Sequence, residues 1–152
     1  MIRTMIAVVQ RVTAASVTVG GEIVGKIDAG LCVLASIVKE DTEADLRWVA
    51  AKVVALRVFP NGDKAYDRSV ADIGGGLMLV SNFTVSANTS SGRRPGFDAA
   101  MSPALAKPMF DRFVELVRET GVIVATGEFG AEMSVAIAND GPLTLIVDSK
   151  RR

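Results

Sequence analysis

Histidine is absent from this chain of 152 residues. That absence excludes Ser-His-Asp and Cys-His catalysis, His-ligated zinc and imidazole acid–base work. Cysteine occurs once, at Cys32, so neither an intrachain disulfide nor a thiolate metal cluster can form. Cys32 lies inside the apolar run 30–38, where a lone thiol behaves as a small hydrophobe, and a reducing, cytoplasmic setting is expected. Aromatics make up only 5% of residues against 49% apolar, so Val, Ile, Leu and Ala must fill the core. Such a composition suits sheets covered on at least one face, and a subunit interface. Net charge is zero, with 17 basic and 17 acidic residues, which disfavours nonspecific nucleic-acid binding driven by overall charge. No run reaches the ~18 apolar residues of a membrane span, and Gln10-Arg11 ends the N-terminal apolar stretch too early for a signal peptide.

What is present reads as one domain without repeat or linker. Residues 5–12 have the pattern of a strand, and 15–19 and 22–27 alternate around Gly20-Gly21 as a hairpin. The run 30–38 reads as a strand buried on both faces. Thr42 is an expected helix N-cap with Asp45 as its capping-box partner; Leu46, Val49, Val53 and Leu56 then share one apolar helix face. Residues 59–63 read as a turn, and Gly74-Gly75-Gly76 as a tight turn before a strand at 77–85. A polar loop runs from Ser86 to Met101. Ser102-Pro103 opens a second helix whose core face carries Met109, Phe110, Phe113, Leu116 and Val117, with a kink or a later start expected at Pro108. Strands are expected at 122–126, 131–137 and 143–147. The order predicts an α+β, sheet-rich fold: barrel-like antiparallel or mixed sheets flanked by two helices.

Two segments carry more polarity than their surroundings need. Ser81-Asn82-Phe83-Thr84 sits at the end of the apolar strand 77–80. Asn139-Asp140-Gly141-Pro142-Leu143-Thr144 reads as a sharp turn into the terminal strand. Gly74-Gly75-Gly76 is not a phosphate loop, because no Gly-Lys-Ser/Thr follows and a strand comes next. The acidic residues show no spacing that marks a catalytic pair.

These two segments resemble the paired signature of the D-aminoacyl-tRNA deacylase family, Ser-Gln-Phe-Thr-Leu and Asn-X-Gly-Pro-Val-Thr. The likeness extends to the opening strand from Met5 to Val19, to Arg94-Pro95-Gly96-Phe97, to Ala100-Met101-Ser102-Pro103 and to Gly127 through Met133. It implies a homodimer that hydrolyses the ester between a D-amino acid and the tRNA 3′ end, and glycyl-tRNA to some degree. It implies no cofactor, no metal and no membrane. Catalytic roles fall on Ser81, Asn82, Phe83 and Thr84, with the backbone N–H groups of Asn82 and Phe83 facing the carbonyl oxygen and Thr84 in a positioning role. Phe129 and Met133 would line the terminal adenosine pocket. Asn139, Gly141 and Pro142 would bind substrate in the partner's pocket, through a cis Gly-Pro turn whose bulk excludes L side chains. Arg11 would hold that turn by bonds to its carbonyls, and Arg93 and Arg94 would meet acceptor phosphates. Asn82 replaces the family's Gln, which leaves open a weakened or non-catalytic relative binding nucleic acid or a protein, or a deacylase of altered chirality.

Overall fold

A computed structural model describes residues 4–150; Arg151 and Arg152, the end of the basic tail, lie outside the described residues. In chain order the elements are β1 (Ile6–Val19), β2 (Glu22–Ile27), β3 (Gly30–Ser36), α1 (Glu43–Ala55), β4 (Phe59–Asn61), β5 (Lys64–Arg68), β6 (Gly76–Ser81), a 3₁₀ turn (Phe83–Ser86), α2 (Pro103–Arg118), β7 (Ile123–Thr126) and β8 (Ser134–Asp148).

β1 and β2 form the expected hairpin. Gly20 and Gly21 both hold positive φ, 56° and 82°, which a two-residue turn matched to strand twist requires. β1 then serves as the spine, pairing antiparallel with β2 and β3 along one edge and with β8 along the other. β3 and β6, and β6 and β7, run parallel, so the sheet is mixed. It curls until β2 and β7 nearly meet: a Cβ on Gly25 would stand 2.2 Å from the Thr126 carbonyl oxygen. The result is the expected α+β, barrel-like single domain with two helices.

Alternation explains where the core sits. Leu31 and Val33 of β3 and Leu77 and Leu79 of β6 face the helices, meeting Leu46, Val49 and Val53 of α1 and Phe110 and Phe113 of α2. Cys32, Met78 and Val80 face the other way and pack with Val12, Val17 and Ile27 inside the curl. Burial pushes the Cys32 thiol up to about 11, so it is inert at neutral pH. The α1 cap forms as expected, the Asp45 carboxylate accepting the Thr42 N–H at 2.9 Å. Asp41, just before it, accepts the N–H groups of Met5 at 2.7 Å and Val38 at 2.8 Å, tying the start of β1 to the exit of β3. Burial pushes the Asp41 carboxyl up to about 6.

Four expectations need correction. Residues 59–63 are not a lone turn but part of the β4–β5 hairpin, because the signals at Pro60, Asn61 and Gly62 suit either. The strand expected at 77–85 stops at Ser81, where the chain tightens into the 3₁₀ turn. α2 passes through Pro108 instead of starting there. The strands at 131–137 and 143–147 are one, β8, with the Asn139–Leu143 segment as an excursion within it, because β1 pairs with both halves. Among the described residues no helix is long and apolar enough to cross a membrane.

Candidate active site

Parallel pairing brings the carboxyl ends of β3 and β6 to the same edge of the sheet, and the site is built there. Ser81 pairs with Ala35, and the Asn82 N–H donates to the Ala35 carbonyl at 2.8 Å as the last rung of that ladder. The chain then turns: the Val85 N–H reaches the Asn82 carbonyl at 3.2 Å and the Ala87 N–H the Thr84 carbonyl at 3.0 Å. The first N–H groups of a helical turn have no partner within it. Here those are Phe83 and Thr84, and neither has an acceptor among the described residues. Of the expected donor pair, only Phe83 therefore keeps a free N–H. Asn82 is spent on the sheet, and Phe83 and Thr84 carry the free donors. The Asn82 side chain instead accepts the Thr84 hydroxyl at 2.5 Å. No base lies beside that hydroxyl, so Thr84 is not an activated nucleophile.

A cavity of about 740 Å³ opens beside this turn. Ser81, Asn82 and Phe83 line it, and Phe129 and Met133 close the far wall. Phe129 is held by Phe110, their ring centroids 6.1 Å apart. Met133 is fixed against Gly127, where a Cβ would stand 2.5 Å from its sulfur. Among the lining residues not foreseen as site residues, Phe97, Ser102 and Pro103 stand out. Phe97 meets Phe83 edge to face at 5.2 Å, and Ser102 and Pro103 bring the N-terminus of α2, with its partial positive charge, to the wall. Ser102-Pro103 was legible as a helix start; only the fold shows which wall it faces. No lining residue is charged, so the cavity offers hydroxyls, an amide and peptide N–H groups but no general base. Among the described residues no three of His, Cys, Asp and Glu gather as metal ligands.

Arg11, Asn139, Gly141 and Pro142 form a second group, none of which lines the cavity. Val12 pairs with Asn139 and Gln10 with Thr144, so the single residue Arg11 faces the whole excursion. The Asn139 amide bridges its base, donating to the Arg11 and Leu143 carbonyls at 3.0 Å each. Gly141 holds φ +122°, and a Cβ there would lie 2.9 Å from the Leu143 nitrogen and 3.0 Å from the Arg11 guanidinium. The Gly141–Pro142 peptide is cis, and both residues are exposed. Arg11 does not bond the turn's carbonyls as expected. Its guanidinium donates to the Val58 carbonyl at 2.7 Å and faces the Asp140 carboxylate at 3.2 Å, outside hydrogen-bond alignment. Arg93 and Arg94 are exposed on a loop closed by reciprocal Asn88–Gly96 backbone bonds of 2.8 Å, and neither has an ion-pair partner among the described residues.

With this geometry in hand, the relatives are informative. The family described as D-Tyr-tRNA(Tyr) deacylase matches residues 8–148. The D-aminoacyl-tRNA deacylase of Chlorobaculum parvum is 52% identical over 97% of this chain and 100% of its own length. That of Thermus aquaticus is 50% identical over 97% of each chain. Among solved structures, the c-Myc DNA Unwinding Element Binding Protein superposes with a TM-score of 0.89 at 41% identity, over 93% of this chain and 97% of that one. A probable eukaryotic D-amino acid tRNA deacylase shares the fold, with a TM-score of 0.81 at 17% identity over 95% of this chain and 99% of that one.

Proposed function

This chain belongs to the D-Tyr-tRNA(Tyr) deacylase family, and we propose that it hydrolyses the ester of D-aminoacyl-tRNA, releasing free D-amino acid and tRNA as a chiral proofreading enzyme. The observation that carries the mechanism is a neutral cavity lined by Phe83, whose peptide N–H, like that of the next residue, Thr84, has no acceptor among the described residues, with no charged residue in the wall. Such a site acts by positioning the ester and stabilising its oxyanion. The proton traffic falls to the attacking water and to the 2′-hydroxyl of the substrate's own terminal ribose. The terminal adenine lies against Phe129 and Met133, an aromatic face and a polarisable thioether that suit a purine. Arg93 and Arg94 meet acceptor-stem phosphates.

The enzyme acts as a homodimer in the cytoplasm, with the Gly141-Pro142 turn of one subunit entering the cavity of the other. Supporting this, the turn is exposed and stands outside its own chain's cavity, and Leu145 and Ile146 beyond it are exposed apolar residues. The turn's backbone fills the space an L side chain needs, so selection is by exclusion. Diverse D-aminoacyl-tRNAs are cleaved, L-aminoacyl-tRNAs are spared, and glycyl-tRNA is cleaved to some degree. Turnover of matched D- and L-tyrosyl-tRNA tests the reading: D-selective hydrolysis that survives EDTA is expected. Equal turnover of both, or tRNA binding without hydrolysis, would overturn it.

A further inference from the structure

Two buried serines stand directly behind the catalytic turn, and the mechanism above does not use them. Ser36, the last residue of β3, is fully buried, and Ser86, the last of the 3₁₀ turn, is 3% exposed. The Ser36 hydroxyl donates to the Ser86 oxygen at 2.7 Å, and the Ser86 hydroxyl donates to the Phe83 carbonyl at 3.0 Å. The Ser36 oxygen is itself 3.3 Å from that carbonyl. We propose that Ser36 and Ser86 are positioning residues for the reaction: a hydroxyl relay that aims and strengthens the Thr84 N–H as an oxyanion donor.

The planarity of the peptide unit couples the relay to the donor. The Phe83 carbonyl and the Thr84 N–H belong to one trans peptide, so they point in opposite directions. Two hydroxyls holding the carbonyl inward therefore hold the N–H outward. The adjoining peptide is fixed the same way, because the Asn82 carbonyl accepts the Val85 N–H and turns the Phe83 N–H out beside it. A hydrogen bond at a carbonyl also polarises its peptide, and a chain of such bonds reinforces the effect. The N–H at the far end becomes a better donor to developing negative charge, with no reorganisation during reaction.

A purely structural role makes a different prediction. Replacing both serines strands neither hydroxyl but takes the hydroxyl donors from the Phe83 carbonyl, which in that role lowers stability and leaves the turnover of folded enzyme unchanged. The test is therefore the double variant Ser36→Ala/Ser86→Ala, with Ser36→Ala alone as the graded case that keeps the Ser86–Phe83 bond. The proposal rests on the deacylase reading, so wild-type protein on D-tyrosyl-tRNA is run in parallel; silence there would defeat the reading itself. Against an active wild type, the double variant should melt lower but stay folded at the assay temperature, while kcat per folded molecule falls about tenfold at unchanged KM, less than the loss of a whole oxyanion donor. The single variant should fall between. Independently of activity, the Phe83 ¹³C′ resonance should move upfield in the double variant. A wild-type kcat, a kcat loss that merely tracks the folded fraction, or an unmoved Phe83 resonance would overturn the proposal.

Discussion

The segment 81–86 ends a strand and 139–143 interrupts one, both with polar residues, and they differ in what lies beside them. The first is tied inward on every side: Asn82 to β3, Phe83 to buried hydroxyls, Thr84 to Asn82. Its own chain supplies a cavity next to it. The second is tied only at its base, by Asn139 and Arg11, and its tip at Gly141-Pro142 faces solvent. One segment is a finished half of a site. The other is fixed at its root and stands outside its own chain's cavity. In the homodimer proposed above, the two halves meet across subunits.

Removing a donor from the inward segment should break the comparison most severely. An amide-to-ester replacement that deletes only the Phe83 N–H should lower kcat by about 10²–10³, measured in single turnover. Thr84→Ala, which keeps every N–H, should stay within about tenfold of wild type. On the outward segment, Gly141→Ala forces a side chain onto φ +122° and against Leu143 and Arg11. The positive φ alone costs on the order of 1–3 kcal/mol. Turnover of D-aminoacyl-tRNA should fall by at least about tenfold, and the melting temperature should drop by a few degrees, because backbone strain persists at an exposed tip.

Asn82→Gln sharpens the comparison with a smaller effect. The Asn82 N–H is fixed by the sheet whatever the side chain, and its amide oxygen serves a hydroxyl that does no chemistry. The expected change in kcat/KM is under about tenfold, or ~1.4 kcal/mol; a larger gain would mean that the shorter amide weakens the enzyme.

The smallest effect is a control outside both segments. Asp41 has its carboxyl raised by burial from an ordinary 3.8 to about 6 in the fold. The native state therefore binds more protons than the unfolded chain between those values. Its stabilising contribution is complete below the unfolded value and lost as pH rises through the folded one. The melting temperature should decline modestly from pH 5 to 7, and Asp41→Asn should flatten that slope without altering chirality. Asp45, whose carboxyl is held low despite its own burial by bonds from Thr42 and Ser149 and by the charge of Lys150, acts in the opposite sense and only at lower pH.

Local signals made much of this legible. The apolar run at 30–38, the Gly20-Gly21 hairpin and the Thr42–Asp45 cap each depend on residues close in sequence. The two signature segments were found together because their residue types are unusual at those places. What stayed hidden depends on partners far along the chain. Asn82 loses its N–H to Ala35 only because β3 and β6 pair in parallel. Asn139–Leu143 is an excursion instead of a turn because β1 holds β8 on both sides of it. Ser36 and Ser86 read as ordinary strand and loop serines until the fold sets them 2.7 Å apart.

Subunit complementation tests the central claim most directly. The Phe83 ester variant spoils the cavity half and Gly141→Val spoils the turn half, so each alone should be nearly inactive on D-tyrosyl-tRNA. In a mixed dimer of twofold symmetry, one site unites both defects and the other unites both intact halves. With half the dimers mixed and one of two sites restored in each, activity should return to about one quarter of wild type. A mixture that stays as inactive as its parents, while exchanging subunits freely, would contradict a site shared between chains.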